Sequence, residues 1–152
     1  AGEALKSAGV VLLITGAGGS FSSVIAATGI GDSIVSLLST GASSVVPAMF
    51  LCYLIGMIFR VAQGSGTVAG MTSMTIMATV APAIGCHPVW LALACLSGGN
   101  SIGHVNDSGF WVATNMSGLT ITGGLKTYTL GSFISSVFIF LLALIGALVI
   151  PL

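Results

Sequence analysis

Charged side chains are nearly absent from this chain, and their absence restricts the fold more than any motif does. Of 152 residues, three are Lys or Arg and three are Asp or Glu, whereas 55% are hydrophobic. Ordinary soluble domains contain about 25% charged residues, and a soluble fold with so few would lack the polar surface that keeps it in solution. We therefore predict a membrane protein. The zero net charge also argues against a nucleic-acid partner.

The few charges are spaced widely enough for membrane-spanning helices. Residues 7–31, 33–59, 61–106 and 127–152 contain no Asp, Glu, Lys or Arg, and a spanning helix needs about 20 mostly apolar residues. The last of these windows is the most continuous apolar run. We predict a final spanning helix there, with Lys126 and Tyr128 as anchors at the membrane interface.

Three stretches rich in Gly and Ser interrupt the apolar sequence: GAGGSFSS (16–23), QGSGT (63–67) and SGGNSIGHVNDSG (97–109). Within hydrocarbon, non-helical backbone is tolerated only where protein or a water-filled cavity surrounds it. Paired interrupted segments are typical of the binding sites of secondary transporters. The alternative is that these stretches are ordinary aqueous loops between short helices.

These interruptions predict an all-α polytopic membrane protein with a re-entrant hairpin and broken transmembrane helices. We treat residues 1–152 as a single transmembrane domain, and the chain as a fragment of a longer protein. Its predicted parts are a re-entrant hairpin at 5–38, a broken helix at 45–82, an interrupted helix at 88–116 and the final spanning helix at 127–152.

The first two interruptions contain candidate substrate-binding residues. At the hairpin tip, the backbone N–H groups of Gly18, Gly19 and Ser20 could face a carboxylate. Arg60 lies near the end of an apolar helix, where it either snorkels to the interface or lines a cavity, pairing with an acid or attracting an anionic substrate. The residues that follow it would supply amide, hydroxyl and backbone groups: Gln63, Gly64, Ser65, Gly66 and Thr67.

The third interruption brings two titratable side chains, His104 and Asp107. A carboxylate at membrane depth costs about 2.5–3.5 kcal/mol and usually marks a proton or ion pathway, and histidine titrates near neutral pH. We predict a proton-coupling role for both residues, with Asn106 and Ser108 as substrate ligands. The alternative for Asp107 is a structural cap on the helix that follows it.

The same residues do not form a recognisable catalytic or metal site. His104, Asp107 and Ser108 lie within five residues of one another, without the G-x-S-x-G turn of a serine hydrolase. No second cluster has the spacing of zinc ligands, and the three cysteines are predicted to be buried core residues. We expect no catalytic residues, no metal and no cofactor. An intramembrane hydrolase that uses Ser108 and His104 is the alternative from a different class.

The segments GAGGSFSSVIAATGIGDSI, FRVAQGSGTVA and SIGHVNDSGFW resemble, in the same order, the C-terminal half of the bacterial gluconate permease (gluconate:proton symporter) family. The likeness covers essentially the whole chain. It implies a multi-pass inner-membrane symporter that takes up gluconate or a related small hydroxy-carboxylate with protons. A sodium-coupled carboxylate transporter of the same architecture is the alternative.

The resemblance also implies an ion-transporter-type fold built from inverted repeats with re-entrant hairpins. In such a fold the first repeat would be absent from this chain, so the expected partners include the missing N-terminal half of the same protein. The others are the carboxylate substrate, protons, the lipid bilayer and further copies of the chain in a homo-oligomer.

Overall fold

The structure is a computed structural model that describes residues 45–78 and 81–150, together with isolated earlier positions (2, 5, 9, 16, 20, 24, 27–29, 33 and 36). This part of the chain is helical and contains no β-strand. The helices of the two continuous segments are α1 (Val45–Gln63), α2 (Gly66–Ala78), α3 (Ala81–Ile84), α4 (Pro88–Gly99), α5 (Ser108–Met116) and α6 (Ile121–Val149).

Two of these helices, α1 and α6, are long and apolar enough to cross a membrane. They contain 19 and 29 residues, and neither exceeds two charged residues in its apolar window. At about 1.5 Å per residue, α1 spans about 28 Å, close to the thickness of a hydrocarbon core. The shorter helices α2 and α4 would not cross alone. This architecture agrees with the predicted membrane protein.

Glycines allow α1, α2 and α4 to pack backbone against backbone. A Cβ added at Gly56 would lie 2.5 Å from the carbonyl oxygen of Cys95, and one at Gly98 would overlap the carbonyl oxygen of Tyr53. A Cβ at Gly99 would lie 2.9 Å from the amide nitrogen of Gly70. Small residues at such contacts are how helices associate in membranes, where burying apolar surface gives little net gain.

A compact apolar core fills the remaining space between these helices. Met49, Cys52, Ile76, Met77 and Cys95 are all at most 1% exposed. Cys86 is also buried, and all three cysteines have free thiols, so their predicted place in the core is confirmed.

Helix α6 packs on this core with one face only. The ring centroids of Phe140 and Tyr53 lie 4.8 Å apart. The Tyr53 hydroxyl is hydrogen-bonded to the Ser136 hydroxyl at 2.9 Å. The opposite face exposes large apolar side chains, including Phe138 and Leu142. Such an exposed apolar stripe suits contact with lipid tails.

The last helix begins earlier than the predicted 127–152. It starts at Ile121 because Thr120 caps it, its Oγ1 accepting a hydrogen bond from the Gly123 amide at 3.1 Å. Lys126 and Tyr128 are therefore inside the helix rather than ahead of it, within a π-helical turn at Leu125–Thr129.

The second and third predicted interruptions lie at helix ends. Helix α1 ends at Gln63 and α2 begins at Gly66; Gly64 between them has φ +76°, which favours glycine. Residues 100–107 separate α4 from α5. Both segments meet at the same end of the packed helices, where Asn106 and Asp107 contact the end of α1.

The first predicted interruption lies mostly outside the described residues, which omit Gly18 and Gly19. Ser20 is helical and exposed, and its hydroxyl donates to the Gly16 carbonyl oxygen at 3.1 Å. The turn described in this part of the chain is at Thr28 and Gly29. The hairpin tip at Gly18–Ser20 stays a prediction.

Candidate functional site

A buried ion pair joins the second and third interruptions. The Nη2 atom of Arg60 lies 2.5 Å from Oδ2 of Asp107, and the two side chains are only 6% and 7% exposed. The Nη1 atom of Arg60 also donates to the carbonyl oxygen of Gly64 at 2.9 Å. Of the alternatives for Arg60, the structure therefore shows the side chain paired with an acid rather than extended toward the membrane interface.

Asp107 has the structural capping role that the sequence left as an alternative, and it is also the acid of the ion pair. Its Oδ1 accepts from the Gly109 amide at 2.9 Å, which makes Asp107 the N-cap of α5. Its Oδ2 accepts from Arg60 and also from the hydroxyl of Tyr128, at 2.9 Å. Because three donors surround it, the carboxylate is well compensated for its burial.

Tyr128 is a member of this site that the sequence analysis missed, since it treated this residue only as an interfacial anchor. It is half-buried and bonded to Asp107. The π-helical turn carries both Tyr128 and Thr129, whose Oγ1 donates to the Gly103 carbonyl oxygen at 2.5 Å. Single π turns often occur at functional sites, and here the turn connects α6 to the third interruption.

Because Gly103 and Gly109 have no side chains, there is room for the ion pair and for the Tyr128 hydroxyl. A Cβ at Gly103 would lie 2.5 Å from Nη2 of Arg60 and 2.7 Å from Oδ2 of Asp107. A Cβ at Gly109 would lie 2.7 Å from the Tyr128 hydroxyl oxygen. A side chain at Gly103 would therefore collide with both charged groups, and one at Gly109 would displace the Tyr128 hydroxyl.

The ion pair forms part of the wall of an open cavity of about 660 Å³. Small-ligand sites usually have volumes of about 300–1,000 Å³. The wall also contains hydroxyl, amide and glycine backbone groups from α2, α4 and the start of α5. The polar and glycine residues lining it are Arg60, Ser65, Gly66, Thr67, Ser97, Gly99, Asn100, Asp107, Ser108, Gly109 and Tyr128.

Four of the site residues predicted in the second and third interruptions do not line this cavity: Gln63, Gly64, His104 and Asn106. Asn106 instead connects the two interruptions, its Nδ2 donating to the Val61 carbonyl oxygen at 2.9 Å. The His104 imidazole has no ion pair with Asp107. The side-chain amide of Gln63 is buried without a hydrogen-bond partner in the described part of the chain.

The cavity also includes residues that the prediction omitted, Ser97 and Asn100 at the end of α4. The stretch SGGNS that contains them was recognised as part of an interruption. Helical spacing could have pointed to Ser97, because it lies one turn after Ala94, on the face that α4 buries.

The Tyr128 hydroxyl should contribute measurably to stability, since its acceptor is a carboxylate. We expect Tyr128→Phe to lower the free energy of unfolding by about 1.5–3 kcal/mol, the usual value for a hydrogen bond to a charged group. Tyr53→Phe is the matched control, because it removes a buried hydroxyl bonded to neutral Ser136 and should cost about 0.5–1.5 kcal/mol. Thermal unfolding in detergent measures both. Equal losses would show that Tyr128 adds no charge-assisted bond.

Apolar helices, two of them long enough to span a membrane, surround a cavity with a buried ion pair at two helix interruptions, and this arrangement is typical of membrane transport proteins. Comparison with known proteins supports this class. The chain belongs to the GntP permease family: the family model described as GntP family permease matches residues 1–149.

Curated relatives agree with this assignment. The chain is 38% identical over 131 residues to the inner membrane permease YgbN of Escherichia coli, covering 84% of this chain and 28% of that protein. It is 37% identical over 153 residues to the high-affinity gluconate transporter of the same organism, covering 97% and 34%. A gluconate permease of Bacillus subtilis is 38% identical over 149 residues, covering 93% and 32%.

The chain spans about a third of the length of the curated relatives it matches. These relatives are named as transporters and permeases, not as enzymes, which confirms that the family is not enzymatic. No solved structure matches the chain.

Proposed function

We propose that this chain is part of a secondary transporter that takes up gluconate, or a related small hydroxy-carboxylate, together with protons across the bacterial inner membrane. The observation that carries this proposal is the buried Arg60–Asp107 ion pair on the wall of the cavity. Relatives named as gluconate transporters support the choice of substrate.

The cavity offers suitable chemistry for a sugar acid. The guanidinium of Arg60 can bind a carboxylate through paired N–H groups, and α2 begins at Gly66 with its positive dipole end at the cavity. Ser65 and Thr67 add hydroxyls beside it. These groups could accept and donate hydrogen bonds to the several hydroxyls of an aldonate.

In this proposal Asp107 handles the proton, with His104 nearby in the same interruption. Asn106 contributes mainly by connecting the two interruptions, and neither Asn106 nor Gln63 lines the cavity. Ser108 remains a substrate ligand on the cavity wall. The hydrolase alternative has no support, since His104 does not join Ser108 there and the family consists of permeases.

We further propose that the rest of the site comes from outside the described helices. A re-entrant hairpin with its tip at Gly18, Gly19 and Ser20 would supply backbone N–H groups, and a preceding repeat of a longer permease would complete an ion-transporter-type fold. The exposed apolar face of α6 is available to lipid, to that repeat or to a second copy of the protein.

Uptake of labelled gluconate into membrane vesicles, measured with the full-length permease that contains this chain, tests the function. We expect a pH gradient to drive accumulation and Asp107→Asn to abolish it. Ser108→Ala should lose only about fivefold in rate, since it removes one hydrogen-bonding group worth about 1 kcal/mol.

Three results would contradict this proposal. Accumulation that follows a sodium gradient and ignores pH would favour the sodium-coupled alternative. Proton-driven accumulation by Asp107→Asn would remove the proton role from this residue. A lack of gluconate uptake would reject the proposed substrate. Separately, competition by other aldonates in the same assay would show which sugar acid is preferred.

A further inference from the structure

Two buried thiols meet between α1 and α4, outside the cavity described above. Cys52 of α1 and Cys95 of α4 are both 0% exposed and belong to the apolar core. Both are free thiols, and the Cys52 thiol is hydrogen-bonded to the Cys95 thiol. The proposed transport function gives neither residue a role.

The packing of α1 against α4 fixes this thiol contact. Both helices end at the polar cavity, so they run in parallel. A Cβ added at Gly56 would lie 2.8 Å from the amide nitrogen of Gly99 and 3.1 Å from the carbonyl carbon of Gly98. One turn earlier on the same faces are Cys52 and Cys95. Because the helices touch through backbone atoms, they cannot slide past each other, and the two sulfur atoms stay side by side.

A second, smaller cavity leads to this pair from the opposite end of the helices. It is partly open, has a volume of about 180 Å³ and lies between the end of α2 and the start of α4. Met, Leu, Ala, Pro and Cys side chains form its wall, among them Met74, Met77 and Cys95. Such a wall admits a small neutral molecule. It excludes a hydrated ion, which would lose its water without polar groups to replace it.

We propose that Cys52 and Cys95 form a binding site for a soft divalent metal ion that takes two sulfur ligands, of which the mercuric ion is the type. Thiolates prefer soft metal ions. No group of three or more His, Cys, Asp or Glu residues in the described part of the chain could hold a metal ion, so a four-coordinate Zn²⁺ would lack ligands here. An ion that is satisfied by two sulfurs does not need them.

Charge also selects a divalent ion. Two thiolates and one Hg²⁺ form a neutral product, which suits an apolar core, whereas Ag⁺ between two thiolates would leave one negative charge. Mercuric chloride is itself a neutral molecule and can enter through the apolar cavity. Two S–H and two Hg–Cl bonds break, two S–Hg bonds form, and two protons and two chloride ions leave for water. No electron is transferred.

The bridge should stabilise the protein, whereas modification of one thiol should destabilise it. An ion held by Cys52 and Cys95 ties α1 to α4 and restricts the unfolded chain, as a disulfide does. Methylmercury chloride has a single exchangeable position, so it bonds to one thiol and forces its methyl group into a filled core. The two reagents should therefore shift the unfolding temperature in opposite directions.

Thermal unfolding of the purified full-length permease in detergent tests the inference. We expect an equimolar amount of mercuric chloride to raise Tm by several degrees and methylmercury chloride to lower it. In Cys52→Ala and in Cys95→Ala, mercuric chloride should no longer raise Tm. Cys86→Ala is the matched control, because this buried thiol contacts the His87 carbonyl oxygen at 3.7 Å, and the increase should persist there.

Three results would overturn the inference: a Tm that mercuric chloride fails to raise in the wild type, an increase that persists without Cys95, or an increase that is lost with Cys86. The comparison of the two reagents on the wild type needs no variant, so it decides even where an alanine variant fails to fold. None of these results bears on gluconate uptake, which tests the proposed function separately.

Discussion

Arg60→Gln is expected to lower the free energy of unfolding by about 3–5 kcal/mol and to abolish gluconate uptake. Removing one partner of a buried ion pair leaves the other charge uncompensated, and costs of this size are usual. Here the remaining Asp107 carboxylate would be only 7% exposed. Uptake should be lost because the variant lacks the cation that we propose as the ligand of the substrate carboxylate.

The double variant Arg60→Gln/Asp107→Asn separates these two effects. With both charges removed, the amide side chains can hydrogen-bond to each other, and most of the lost stability should return. Uptake should not return. Thermal unfolding in detergent and vesicle uptake measure the two quantities on the same preparations. An Arg60→Gln protein with wild-type stability would show that the pair is not buried as described.

Gly98→Val is expected to disrupt the packing of α4 against α1. Its Cβ would overlap the carbonyl oxygen of Tyr53, and the amide nitrogen of Met57 would lie only 3.0 Å away. Both are backbone atoms, so neither can move aside without displacing the helix. We expect a loss of about 3 kcal/mol, at the upper end for added volume in a packed core.

Gly131→Val is the matched control for this substitution. Gly131 lies in α6, and a Cβ added there would have no atom of another described helix within 4 Å, so the same side chain collides with no neighbouring helix. Valine is slightly better than glycine within a helix, and stability should stay within about 0.5 kcal/mol of the wild type. Thermal unfolding in detergent compares the two variants. Similar losses at both positions would contradict the close helix approach.

The features that the sequence predicted well are those encoded in local composition. The scarcity of charge indicates membrane helices whatever the tertiary packing of the chain. Runs such as QGSGT destabilise a helix at the position where they occur. For the same reason Asp107 could be recognised in advance as the acid of the third interruption. Its capping role also follows from the short-range spacing to Gly109.

The features that were missed depend on how helices rotate and pack. Arg60 and Asp107 are 47 residues apart, and nothing in the local sequence of either residue specifies the other as its partner. Tyr128 reaches Asp107 from a π-helical turn, and such a turn changes which side chains face inward, so regular helical spacing misplaces them. The start of α6 was missed because the Thr120 cap lies in a glycine-rich stretch that resembles a loop.

The neutrality of the Arg60–Asp107 pair has a consequence for how this pair responds to a membrane voltage. Moving one elementary charge through 100 mV involves about 2.3 kcal/mol of electrical work. The pair carries one positive and one negative charge in direct contact. Because the two charges cancel, a voltage does almost no net work on the pair as long as Arg60 and Asp107 move together.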